Sequence, residues 1–167
     1  MDLTKFHHLN MILLCGLYGS GKTEFALQHF KGKDRSRISR SEIRKFIFEM
    51  TNFGELWTPE KFNDENDALV KHMEKKMLEQ YIHFKHNLLI VNTFVTKKSR
   101  QGFIDIARQN KKTIGAIFIQ RPLEQCLERN GRNKISVPQH VIYTLHAKIE
   151  LPSKNEGFDE VLTVTYK

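Results

Sequence analysis

The sequence predicts an α/β fold, a parallel sheet of about five strands with helices on both faces. Two observations predict it. Apolar runs of strand length alternate with helix-patterned segments along the whole chain. The first run, Met11-Ile12-Leu13-Leu14-Cys15, leads straight into Gly16-Leu17-Tyr18-Gly19-Ser20-Gly21-Lys22-Thr23, which fits G-x-x-x-x-G-K-[ST] in full. Strand, glycine loop and helix form the setting that gives this motif its meaning.

Taken in order, Thr23 to Phe30 reads as the helix after the loop, with Phe25, Ala26, Leu27 and Phe30 as its apolar positions. An extended piece around Ser36 to Ser39 precedes a helix through Ile43, Phe46, Ile47 and Met50. Thr58-Pro59-Glu60 reads as a helix start, threonine as cap and proline in the first turn. The helix it opens places Phe62, Leu69, Val70, Met73, Met77, Leu78, Tyr81 and Ile82 at helical spacing, predicting a core face. Leu88 to Val91 is continuously apolar, as in a strand covered on both sides. Lys97 to Asn110 reads as a helix, Ile114 to Ile119 as a strand and Pro122 to Asn130 as a helix. A basic loop from Gly131 to Ser136 leads to a helix beginning near Pro138, and Val161 to Val164 closes the sheet.

In such a sheet a ligand sits at the carboxyl ends of the strands. The glycine loop, Ser41 to Arg44, the turn after Val91 and the loop after Arg129 are therefore expected to converge. The loop chemistry follows from residue types. Gly16, Gly19 and Gly21 let backbone amides, with that of Ser20 among them, curl around a triphosphate. The helix N-terminus behind them adds free amides and partial positive charge. Lys22 is placed to reach the β and γ phosphates, and the Thr23 hydroxyl to hold magnesium. ATP and Mg2+ are the predicted cofactors.

Length and composition set bounds. With 167 residues the chain suits a single domain, 1–167, and 40% hydrophobic with 28% charged residues is ordinary for a globular protein. No apolar run reaches the length of a membrane span, and the N-terminal MDLTKFHHLN lacks a signal-peptide core. Cys15 and Cys126 read as buried free thiols, predicting a reducing, cytoplasmic setting. The net charge of +8 favours a polyanionic partner. The segment from Lys31 to Lys45, with Lys33, Arg35, Arg37, Arg40 and Arg44, reads equally as a solvated basic face or as a phosphate-binding surface near the nucleotide. The histidines show no metal-ligand spacing.

No apolar strand ends in the magnesium-binding aspartate of GTPases and motor ATPases, and guanine-reading motifs are missing. A small kinase with an arginine-bearing lid fits better. The loop Arg129-Asn130-Gly131-Arg132-Asn133-Lys134 suits such a lid, its Arg129 and Arg132 neutralising charge on the transferring phosphoryl group.

Over nearly its whole length the chain resembles the 5'-hydroxyl polynucleotide kinases and their phage, viral and cellular relatives. GLYGSGKT resembles their phosphate loop, and Ile38-Ser39-Arg40-Ser41-Glu42-Ile43-Arg44 resembles their acceptor segment, [IV]-[NS]-R-D-x-x-R. Ile90-Val91-Asn92-Thr93-Phe94 occupies the place of a strand ending in D-[NT]-T-N. Arg129-Asn130, Val137-Pro138, Pro152 and Glu156-Gly157-Phe158 resemble the closing pattern R-N, V-P, P, E-G-F. The resemblance implies a P-loop kinase fold and transfer of the ATP γ-phosphate to a hydroxyl, foremost the 5'-OH of a polynucleotide or nucleotide. It implies that Lys22 and Thr23 handle phosphates and magnesium, that Arg44 binds a phosphate near the acceptor, and that Arg129 is the lid arginine.

Two positions depart from the family pattern. Ser41 stands where the family carries the aspartate that takes the acceptor proton, and Asn92 where it commonly carries an acid. A serine hydroxyl is no base near neutral pH without an activating neighbour, and it also suits a plain helix cap. Glu42 points about 100° away from Ser41 on a helix, whereas Ser41 and Arg44 share a face. Asp34, Asp64, Glu65 and Asp67 are the other carboxylates that could approach the acceptor, and they read first as solvated surface. A catalytically weakened ATP-binding module for nucleic acid ends, and a small-molecule kinase of the zeta-toxin kind, are the alternative readings.

Overall fold

In the computed structural model, which describes residues 2–32, 34–133 and 136–167, a short helix α1 (Thr4–His7) leads to strand β1 (Met11–Cys15), every residue of which is buried. Helix α2 (Lys22–Phe30), β2 (Arg35–Ser39), α3 (Arg40–Thr51), α4 (Asp64–His83) and β3 (Asn87–Val91) follow. Then come α5 (Lys97–Gln109), β4 (Ile114–Gln120), α6 (Leu123–Gly131), α7 (Gln139–Ala147) and β5 (Glu160–Thr165). The five strands pair in the order β2-β3-β1-β4-β5, all neighbours parallel. The predicted α/β class and parallel five-stranded sheet are therefore present.

Strand side chains alternate between faces, so one sheet feeds two cores. Met11, Leu13, Ile90 and Phe118 pack on one side with Leu78 of α4 and Ile104 of α5. Ile12, Leu14, Leu89 and Ile117 pack on the other with Phe25 and Phe30 of α2. A third cluster joins Leu17 of the glycine loop to Cys126 of α6 and Ile142 of α7.

Two predictions about the middle of the chain need correction. Thr58-Pro59 opens only a 3-10 turn, Pro59–Lys61, without a side-chain cap. The long helix starts at Asp64, capped by the Asn63 side chain, which accepts from the Asn66 amide at 2.8 Å. Its buried stripe is also different. Val70, Leu78 and Ile82 are buried with Asp67 and Glu74, while Phe62, Leu69 and Met73 are exposed. The two acids turn inward because α3 presents two arginines to them: Arg40 pairs with Glu74, and Arg44 with Asp67 at 2.6 Å.

The basic segment is split between opposite ends of the sheet. The nine residues of α2 carry the chain roughly 13 Å away from the loop before β2 returns. Arg35 thus lies at the amino ends of the strands, donating to the Leu9 and Leu88 carbonyls at 2.7 and 2.8 Å. Arg40, Arg44 and Lys45, in the opening turns of α3 with Ser41, follow the carboxyl end of β2. Lys33 lies outside the described residues.

Candidate active site

The loop from Gly16 to Gly21 wraps the carboxyl end of β1 and delivers its amides to the start of α2. Gly19 and Gly21 have φ of +76° and +101°, a region that L side chains rarely adopt. A Cβ on Gly19 would overlap the Cys126 carbonyl, so loop and α6 touch backbone to backbone. No side chain caps α2, which leaves its first amides facing the loop. The Ser20 hydroxyl is buried without a hydrogen-bond partner. These are unfilled donors, which suit an anion.

Lys22 folds back over the loop. Its ammonium donates to the Gly16 and Leu17 carbonyls at 2.9 and 2.6 Å and lies 5.9 Å from the Tyr18 ring centre. Burial lowers its pKa from 10.5 to about 8. Thr23, in the first turn of α2, is exposed.

Three of the four expected regions meet around the loop. The turn after β3 reaches it through the Gly16 amide, which donates to Thr93 at 2.9 Å. From α6, Arg129 Nε donates to the Gly19 carbonyl at 2.9 Å, and its terminal nitrogen grips both carboxylate oxygens of Glu24. Arg121 donates to the Ser20 carbonyl at 3.1 Å. The fourth region, the start of α3, makes no hydrogen bond to the loop among the described residues. It approaches through Tyr18, whose phenol pKa is raised by burial and drawn back by the charges of Arg44 and Arg40.

The remaining predicted residues are placed as follows. Ser41 lies 3.1 Å, hydroxyl to hydroxyl, from Ser39; Ser39, not Ser41, holds the N-cap position of α3. Arg44 NH2 is bound to Asp67, its guanidinium lies 5.6 Å from the Phe62 ring centre, and its Nε is buried without a partner. Asn92 turns its side-chain oxygen onto the Thr93 amide at 2.8 Å. Arg132 is highly exposed and paired with Glu128 one turn earlier. Lys134 of the lid loop lies outside the described residues.

Beside the loop, Ser20, Arg121, Leu123, Ile149 and Tyr166 help to line a cavity of about 480 Å3. It opens at the carboxyl ends of β4 and β5, and the Arg121 guanidinium stacks 4.2 Å from the Tyr166 ring centre. Sequence reading missed Glu24 and Arg121, and named Asp67 only as one of four carboxylates taken first for surface. Glu24 directly follows the motif, a signal that could have been used; Asp67 and Arg121 find their partners only across the fold.

Among the described residues no cluster of three or more histidine, cysteine or acidic side chains could hold a metal, and both cysteines are free and buried. No helix among them is long and apolar enough to cross a membrane.

A chain of the Pnkp1/Rnl/Hen1 RNA repair complex superposes with a TM-score of 0.67 at 18% identity, covering 89% of this chain and 46% of that one. The present chain thus spans under half the length of that relative. A sugar kinase from a Janibacter species matches with a TM-score of 0.61 at 13% identity, covering 93% and 84% of the two chains. A gluconokinase from Sinorhizobium meliloti matches with a TM-score of 0.58 at 15% identity, covering 93% and 81%. At these identities the likeness shows a shared P-loop kinase fold. No curated protein sequence matches the chain. A family model described as an AAA domain matches residues 11–152, and the chain belongs to that family, here in its P-loop kinase form.

Proposed function

We propose that this chain is an ATP-dependent phosphotransferase that moves the γ-phosphate to the 5'-hydroxyl of a polynucleotide or nucleotide. The observation that carries the donor half is the loop itself. Uncapped amides, an unpartnered buried Ser20 hydroxyl, Lys22 and Arg129 all gather where a triphosphate would lie. The neighbouring cavity has the size of an adenine-type site, with Arg121 on Tyr166 as a flat wall for the base. In this reading Lys22 and Arg129 neutralise charge on the transferring group, and the loop amides hold the β-phosphate.

Magnesium fits the residues present. The Thr23 hydroxyl is a hard donor, and Mg2+ keeps several waters and phosphate oxygens, so a carboxylate at position 92 is dispensable. When bound there it would supply positive charge at the β and γ oxygens.

The acceptor half rests on Ser41 and Arg44 at the carboxyl end of β2 and on the resemblance of their segment. Sugar kinase and gluconokinase folds among the similar structures make a small polyol the competing acceptor. Two free thiols suit a reducing compartment, the cytoplasm in our reading.

The test is transfer of labelled γ-phosphate to 5'-OH DNA, 5'-OH RNA, nucleosides and sugars. Transfer to oligonucleotides that Lys22→Ala abolishes is the expected result; transfer confined to sugars would reject the acceptor. A second reading, an ATP-binding module with little turnover, is favoured by one observation: Ser41 and Asn92 spend their side chains locally. An inert wild type that Ser41→Asp makes active would establish it.

A further inference from the structure

A hydroxyl that attacks a phosphoryl group must shed its proton, and some oxygen near it has to receive that hydrogen bond. Position 41 provides only a hydroxyl already beside Ser39, and Asn92 an amide turned onto its neighbour. Two carboxylates reach the same side of the molecule from α4. Asp67 and Glu74 fall on one face of that helix and meet Arg44 and Arg40 of α3.

The two are not equivalent. Glu74 is 3% exposed; one oxygen takes both donors of Arg40 and the other is sealed off without a partner. No substrate reaches it, and its role is to hold α3 against α4. Asp67 is less deeply enclosed, its side chain 12% exposed, beside a narrow cleft of about 10 Å3 shared with Arg44, Trp57, Phe62 and Asn66. Arg44 NH2 occupies one lone pair of Oδ1 at 2.6 Å and Lys71 one of Oδ2 at 2.8 Å. A carboxylate has about four such sites, so each oxygen can accept once more. Asp67 is also close enough to the loop for its charge to act on the Tyr18 phenol, as do Arg40 and Arg44.

We propose that Asp67 is the acceptor-side catalytic carboxylate of this chain, standing in for the acid that position 41 lacks. The inference rests on the phosphotransferase reading above. In the step, the acceptor oxygen bonds to the γ-phosphorus while the bond from that phosphorus to the β–γ bridging oxygen breaks, and ADP leaves. The hydroxyl proton passes to Asp67 and from there to water. Burial raises the carboxyl pKa, but the hydrogen bonds from Lys71 and Arg44 outweigh it, so the group stays ionised. A weak base suffices, because in a loose transition state the proton leaves late.

Asp67→Asn keeps shape and one acceptor oxygen. It is expected to lower kcat by about 10²–10⁴-fold, with nucleotide Kd unchanged. Adding Ser41→Asp to that variant is expected to restore at least a tenfold part of the loss, which a merely structural defect would not allow. Asp67→Glu retains the charge while shifting the oxygens; it should melt normally and still lose kcat more than tenfold, and it decides the matter should Asp67→Asn fail to fold. Wild-type kcat in either folded variant, or a rise in acceptor KM alone, overturns the proposal and leaves Asp67 as the prop of Arg44. A wild type that binds ATP but phosphorylates no hydroxyl overturns the phosphotransferase reading, and the role of Asp67 with it.

Discussion

Arg129 of α6 and Glu24 of α2 stand 105 residues apart in the chain and meet through two hydrogen bonds of 2.6 and 2.7 Å. The same guanidinium holds the Gly19 carbonyl through Nε. A carboxylate thus engages part of the guanidinium that, under the proposed function, a nucleotide phosphate would use.

The pair is solvent-facing, with side chains 36% and 69% exposed, so its worth to the fold is at most about 1 kcal/mol. Glu24→Gln should leave the melting temperature nearly unchanged and tighten ATP binding up to ~5-fold by freeing Arg129. Weaker binding by calorimetry would contradict this. Arg129→Ala should lower kcat on the order of 10³-fold, and Arg129→Lys should rescue little, because the forked contact is lost.

Lys22 should make nucleotide binding pH-dependent. Its pKa of about 8 lies below the ordinary 10.5, and phosphates favour the charged form. ATP affinity should therefore fall as pH rises above 8, approaching tenfold per unit, with about one proton taken up on binding at pH 9. Folding stability without added nucleotide should move the other way. Between 8 and 10.5 the unfolded chain binds a proton that the folded one does not, so this group's cost is full below 8 and fades as pH rises. Titration calorimetry in two buffers, with Lys22→Met losing both trends, checks the assignment.

Gly19→Ala is expected to disable the loop. The added Cβ meets the Cys126 backbone and forces an L residue to φ +76°. Nucleotide binding should be lost and the melting temperature lowered, whereas Gly102→Ala, on α5 where a Cβ meets nothing, should be harmless or stabilising. Normal nucleotide binding by Gly19→Ala would refute the packing argument.

Arg100 and Glu156 form the most enclosed ion pair described, with side chains 0% and 6% exposed and hydrogen bonds of 2.7 and 2.8 Å. Arg100 also donates to the Phe94 carbonyl at 2.7 Å. Truncating either partner strands a buried charge, at a cost of about 3–5 kcal/mol. Arg100→Ala or Glu156→Ala should therefore lower the melting temperature on the order of 10 °C, read by thermal unfolding. A drop of only a degree or two would mean that water reaches the survivor.

Much of the fold was legible because the strands are covered on both sides and read as unbroken apolar runs, as at Leu88 to Val91. The glycine loop was legible because its chemistry is local. Asp67 and Glu74 were not. An acid among Asp64 and Glu65 looks like surface until α3 brings its arginines across, and no helical periodicity encodes a partner 23 residues away. Arg35 misled for a related reason: its guanidinium reads as a surface cation but serves backbone carbonyls at the far end of the sheet. Glu156, taken as part of a closing motif, is a structural partner of Arg100, which the sequence did not single out.

The backbone contact between Gly19 and Cys126 has a mechanical consequence. There is no slack between the phosphate loop and α6, and the same helix carries Arg129 and Cys126. A loop that widens to seat a triphosphate must push this helix with it, and the arginine travels on the part that is pushed. Under the proposed function, filling the donor site and setting Arg129 would then be a single displacement rather than two successive ones.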